Sequence, residues 1–116
     1  MKKGRVTLLV FSGRPDPAWV LSRVTERALD RYWHTLEETA GVPEHPGSGL
    51  GYRGLLVETE NDTWFIFRGL VSRQVSAGKT IRKDASREME RTLLLSAPAQ
   101  WQELAQEILQ TEWGKK

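Results

Sequence analysis

Two short segments of this chain carry hydrophobic side chains at nearly every position, at residues 6–11 and 64–71. A strand with one face in water alternates between hydrophobic and polar residues, whereas these segments suit strands that are covered on both faces. Both segments therefore predict interior strands of a sheet. This requirement favours a fold in which helices pack against a sheet.

The rest of the pattern predicts the element order β-α-β-β-α-α. Hydrophobic residues at three- and four-residue steps predict a helix over 23–40, which Gly41 would end. Residues 41–51 contain four glycines and two prolines and predict a long loop. Residues 52–59 and 64–71 predict a hairpin, and residues 72–83 read as either a loop or a short strand around 79–82.

Two further helices complete the predicted fold. Asp84 is the predicted cap of the first, which would turn Met89, Leu93 and Leu94 inward, and the second extends to about Trp113. We expect a small two-layer α+β fold, a single domain over residues 1–116. Its sheet would have three strands, or four if residues 79–82 form one, with helices packed mainly on one face.

The five tryptophans divide into two groups. Trp33, Trp64 and Trp101 occupy periodic positions and are predicted to lie in the core. Trp19 falls in a predicted loop and Trp113 in a last helical turn, so these two are candidates for exposed contacts with a partner.

The composition excludes several classes of site. The chain has no cysteine, which excludes disulfides and thiol chemistry and fits a reducing compartment. The apolar run after Lys2 and Lys3 is too short for a signal peptide, and no run approaches the roughly 20 residues of a membrane span. His34 and His45 lack metal-ligand spacing. We expect a cytoplasmic protein without a metal, a cofactor or a membrane partner.

The segment after the first predicted strand has the most distinctive chemistry. It contains the primary candidates for a binding site, namely Ser12, Gly13, Arg14, Asp16 and Trp19. Gly13 permits close approach to the backbone, and Arg14 presents planar donors to a carboxylate or phosphate. The segment predicts contact with a protein partner or a small anionic ligand. The structural alternative is that Arg14 pairs with Asp16 and the prolines only direct the chain.

The glycine-rich loop supplies the secondary candidates, Gly49, Gly51, Tyr52 and Arg53. Residues 49–54 match the pattern G-x-G-x-x-G, but they precede a strand, whereas the dinucleotide motif follows a strand and opens a helix. We interpret these glycines as a flexible entry to the hairpin that would extend the contact surface.

Two other functions remain open on the sequence. Residues 1–15 hold four basic residues and no acidic one, and residues 63–91 hold seven basic against three acidic residues. Together these segments would form a basic surface for RNA or DNA. Alternatively, Arg14 and Asp16 would serve a small enzyme acting on an anionic substrate. No spacing assigns a catalytic set or predicts an oligomeric state.

Overall fold

The computed structural model describes residues 4–11, 15–39 and 51–114. The described residues form one antiparallel sheet of seven strands and three helices. The strands are β1 (Gly4–Leu8), β2 (Ala18–Leu21), β3 (Glu37–Glu38), β4 (Leu55–Glu58), β5 (Thr63–Phe67), β6 (Leu70–Val75) and β7 (Gly78–Lys83). The helices are α1 (Arg23–Trp33), α2 (Glu88–Leu95) and α3 (Ala99–Trp113). Across the sheet the strand order is β2-β1-β4-β5-β6-β7-β3.

The two strands with apolar faces lie inside the sheet, as predicted. β1 is flanked by β2 and β4, and β5 by β4 and β6. Their inward-facing residues lie opposite one another across neighbouring strands. Val6 of β1 is opposite Val57 of β4, and Val57 is opposite Trp64 of β5. All three side chains are buried in the same cluster as Leu29 and Trp33 of α1. The core therefore forms where alternate strand residues meet the helices.

The predicted sheet of three or four strands with helices mainly on one face is wrong. Residues 64–71 are not one strand, because the chain reverses at Arg68 and Gly69, whose φ angles are 48° and 88°. Tight hairpin turns with positive φ at both central residues favour Asn, Asp or Gly, so an arginine gave no signal of a turn. β6 and β7 then pair over residues 70–83, which removes the loop alternative there.

Two further strands arise where the pattern predicted none. β2 occupies four residues directly after Pro17, in a segment that the two prolines had marked as loop. α1 ends at Trp33 rather than near residue 40, because the backbone N–H and hydroxyl of Thr35 both donate to the carbonyl of Tyr32. The two glutamates of β3 then pair with β7 at the edge of the sheet.

Asp84 caps α2 from outside the helix. The helix begins four residues after it, yet one Asp84 oxygen accepts the backbone N–H of Met89 at 2.9 Å. The other oxygen accepts the Tyr32 hydroxyl at 3.1 Å, which joins α1 to α2. The predicted inward residues Met89, Leu93 and Leu94 are confirmed as core.

Candidate functional site

The two loops that the sequence marks for function leave the sheet at the same place. The Arg53 N–H donates to the carbonyl of Leu9 at 2.7 Å, and the Leu9 N–H donates to the carbonyl of Gly54 at 2.9 Å. These bonds extend the pairing of β1 with β4 beyond Leu8 and Leu55. The described ends of both loops therefore lie side by side, which a shared contact surface requires.

Asp16 closes the first of these loops. Its Oδ1 accepts the backbone N–H of Val10 at 3.0 Å and that of Phe11 at 2.7 Å. An aspartate that accepts amides from the far side of a loop holds the two ends of the loop together. The base of the loop is therefore fixed by a side chain as well as by the rigid residues Pro15 and Pro17.

Arg53 completes this arrangement from the neighbouring segment. Its Nη2 donates to the Phe11 carbonyl at 2.6 Å and lies 3.9 Å from the Asp16 Oδ1. The contacts of Asp16 and Arg53 with residues 9–11 are called the loop frame below. The described partners of the Asp16 carboxylate are thus two backbone amides and the Arg53 guanidinium.

The candidate residues differ in what the structure says of them. Ser12, Gly13, Arg14 and Gly49 lie outside the described residues. Gly51 is exposed with a φ of 106°, a conformation that favours glycine, and a Cβ built there would face open space.

Trp19 lies in β2 rather than in a loop. Its side chain is only 8% exposed, and its indole N–H donates to the hydroxyl of Ser96 at 3.1 Å. Trp113 is half-buried, with the Arg87 guanidinium 4.1 Å from its ring centre. The expectation of an exposed ring is wrong for Trp19, which instead packs in the core beneath the strand that follows the loop, whereas Trp113 keeps part of its surface exposed.

Tyr52 leads into a group of charges centred on the buried Glu90, which we call the buried ion network. The Tyr52 hydroxyl donates to Glu90, whose side chain is inaccessible to solvent. Arg87 donates to both Glu90 oxygens at 3.0 Å and to Glu112 at 2.9 Å. Glu112 also accepts two bonds from Arg68, at 3.1 and 3.2 Å. This network joins the β5–β6 turn to α2 and α3.

The network keeps Tyr52 in its neutral form. Burial, together with the negative charge of Glu90, raises the pKa of the Tyr52 phenol far above its usual value. Tyr52 therefore acts as a hydrogen-bond donor and is not a base. The sequence analysis did not find this network, because Glu90 was considered only as a negative charge within a basic segment. The signal available was its position three residues after Arg87, a spacing at which side chains on a helix can pair.

Most of the basic residues assigned to a nucleic-acid surface have partners within the chain. Of the seven in residues 63–91, five form ion pairs with carboxylates of the described residues: Arg68, Arg73, Arg82, Arg87 and Arg91. Pairing of this kind reduces the charge available to a phosphate backbone. The contacts therefore offer no support for the nucleic-acid alternative.

The enzyme alternative gains nothing from the geometry of Asp16. Its Oδ1 is engaged by two backbone amides and neighbours Arg53. A general acid or base must instead reach a substrate proton. These contacts give Asp16 a structural role, which is to hold the two ends of the loop together.

Comparison with protein-family models, with curated proteins and with solved structures found no match. None of the helices in the described ranges combines the length and apolar character needed to cross a bilayer.

Proposed function

We propose that this protein is a binding module whose recognition element is the loop between Phe11 and Pro15, with residues 51–53 beside it. The observation that carries this proposal is the carboxylate of Asp16 holding both ends of the loop. A loop held at its base loses less conformational entropy when it binds, so a fixed frame favours recognition.

The ligand class follows from the charge of the loop. Arg14 and Asp16 are the only charged residues of segment 11–17. Together with Arg53 beside Asp16, the formal charges of the proposed surface sum to +1. A guanidinium binds planar anions through two parallel hydrogen bonds, so the proposed ligand presents a carboxylate or phosphate group.

An NMR titration with inorganic phosphate and citrate tests this proposal. We expect the amide signals of Phe11, Asp16 and Arg53 to shift on addition of the probe. Arg14→Ala should abolish these shifts while the remaining spectrum keeps its dispersion. Arg5→Ala is the matched control, because it removes one exposed arginine from the opposite end of β1. Shifts that persist in Arg14→Ala, or unfolding of that variant, would contradict the proposal.

A pair of Asp16 variants separates the loop frame from simple electrostatics. Asp16→Ala makes the loop more positive, so charge alone predicts tighter binding of an anion. Loss of the two amide contacts predicts weaker binding, and this is the result we expect. Asp16→Asn retains an oxygen for the amides, so it should bind at least as tightly as the unmodified protein. Equal behaviour of the two variants would exclude a role for the frame.

A further inference from the structure

A second charged surface lies at the far end of β4 from Arg53. There α1 and the strands after the β4–β5 turn enclose a groove of about 330 Å³. It is lined by four arginines, three carboxylates and one indole ring: Arg23, Arg27, Arg31, Arg73, Glu26, Asp30, Asp62 and Trp64. Neither Phe11 nor Pro15, the described ends of the first loop, lines this groove.

Three of these arginines form a row along α1. Arg23, Arg27 and Arg31 follow one another at four-residue spacing, which places them about 6 Å apart along the helix axis. All three are exposed. Among the ion pairs of the described residues, none involves this arginine row.

Three of the other charged residues of the groove pair with one another. Arg73 donates from Nε to Asp62 at 2.7 Å and has its Nη2 3.0 Å from Asp30. Its guanidinium also lies 4.4 Å from the ring centre of Trp64, which is buried. Glu26 is then the one lining carboxylate that makes no ion pair with a described residue. Four lining arginines against three carboxylates give the groove a formal net charge of +1.

The arginine row carries an energetic cost in the absence of a ligand. Like charges four residues apart on a helix destabilise it by a few tenths of a kcal/mol for each pair. Elsewhere in the described chain most arginines meet a carboxylate, but here the neighbouring acids Asp30 and Asp62 bind Arg73 instead. An anion held in the groove would relieve this repulsion.

We infer that this groove binds a compact polyanion, a small molecule that carries two or more phosphate or carboxylate groups. Arginine provides the planar donors that such groups accept. The volume lies at the lower end of the range for small-molecule sites, about 300–1,000 Å³. A groove of this volume suits a compact ligand better than a long nucleic-acid backbone.

Calorimetric and NMR titrations of the full chain with tripolyphosphate and with citrate test the inference. We expect saturable binding of at least one probe, with shifts at the amides of residues 23–31 and 62–73. Arg27→Gln should weaken binding about three- to five-fold, the usual effect of losing an exposed charge contact. Arg91→Gln is the matched control, since it removes an exposed arginine from α2 outside the groove, and it should leave affinity unchanged. The two probes distinguish phosphate from carboxylate ligands.

Glu26→Gln provides a test of opposite sign. Removal of this carboxylate should strengthen binding about two-fold or more, because it lowers the repulsion of an anion. Circular dichroism should show that α1 is retained in both groove variants.

Several outcomes would overturn the inference. They are the absence of saturable binding by about 10 mM probe, an equal loss of affinity in Arg91→Gln, and no gain in Glu26→Gln. Tighter binding of a single-stranded oligonucleotide than of either probe would also overturn it. Shifts confined to Phe11, Asp16 and Arg53 would overturn it while supporting the loop as the binding site.

Discussion

The buried ion network and the arginine row use the same side chain in opposite ways. In the network, the half-buried Arg87 meets Glu90 and Glu112 at 2.9–3.0 Å, and Glu90 is inaccessible to solvent. On α1 the arginines are exposed and make no ion pair with a described residue. A buried charge requires a partner within its own chain, whereas an exposed charge is tolerated without one. Local pairing, rather than total charge, therefore determines which guanidinium groups are available to a ligand.

Of the substitutions considered below, removal of Glu90 should lower the free energy of unfolding the most. Glu90→Ala leaves Arg87 and the Tyr52 hydroxyl without their buried partner, and breaking a buried ion pair costs about 3–5 kcal/mol. We expect the free energy of unfolding, measured by urea denaturation, to fall by about the lower of these values, because Glu112 still pairs with Arg87.

Glu90→Gln serves as its control. The amide keeps the size of the side chain and an oxygen for Tyr52, so it should cost less than Glu90→Ala. If Glu90→Ala lowers the free energy of unfolding by under about 1 kcal/mol, the network contributes no more than a surface ion pair. The difference proposed between the network and the arginine row would then be wrong.

The pH dependence of stability should show a smaller effect at Glu112. Burial alone would raise the pKa of this carboxyl, but hydrogen bonds from Arg68 and Arg87 outweigh burial and hold the pKa below its usual 4.5. The folded pKa is therefore lower than the unfolded one. The pairing stabilises the protein above pH 4.5, and this contribution is lost as the pH falls through the folded value.

Urea denaturation at a series of pH values checks this prediction. Glu112→Gln should flatten the decline in stability below pH 4.5, by about 1 kcal/mol at most after solvent screening. Glu107→Gln, an exposed site on the same helix α3, should leave the decline in place. If Glu112→Gln does not change the dependence of stability on pH, the pairing of Glu112 is not the cause of the decline below pH 4.5.

The smallest change in stability should follow substitution within the arginine row. Arg27→Gln removes an exposed charge without an ion pair, so the free energy of unfolding should change by less than about 0.5 kcal/mol. A small gain is expected, since the substitution relieves repulsion along α1. A clear loss in thermal or urea denaturation would show that Arg27 has a structural partner, and the contrast with Arg87 would disappear.

The sequence predicted those parts of the fold that depend on local hydrophobic pattern. It identified β1 and β5 as interior strands and the inward residues of α2. It failed at Arg68, because the positive φ of a non-glycine residue leaves no mark in composition. It also assigned Trp19 to a loop, because two prolines outweighed a strand of only four residues.

The candidate site was predictable only as two separate loops. Asp16 and Arg53 approach one another because β1 pairs with β4, and this pairing joins segments far apart in the chain. Local periodicity contains no information on such a pairing. The arginine row was similarly hidden, because residues 16–62 are acidic in total while one face of α1 is basic.

The position of β1 between β2 and β4 has a consequence for synthesis on the ribosome. β1 is synthesised well before β4, the second of its two neighbouring strands, which ends at Glu58. Until Glu58 leaves the exit tunnel, a nascent chain can pair β1 only with β2. One edge of this apolar strand therefore stays unpaired. Formation of the sheet around β1 must therefore wait for β4, and nascent chains that lack β4 are the species most exposed to self-association.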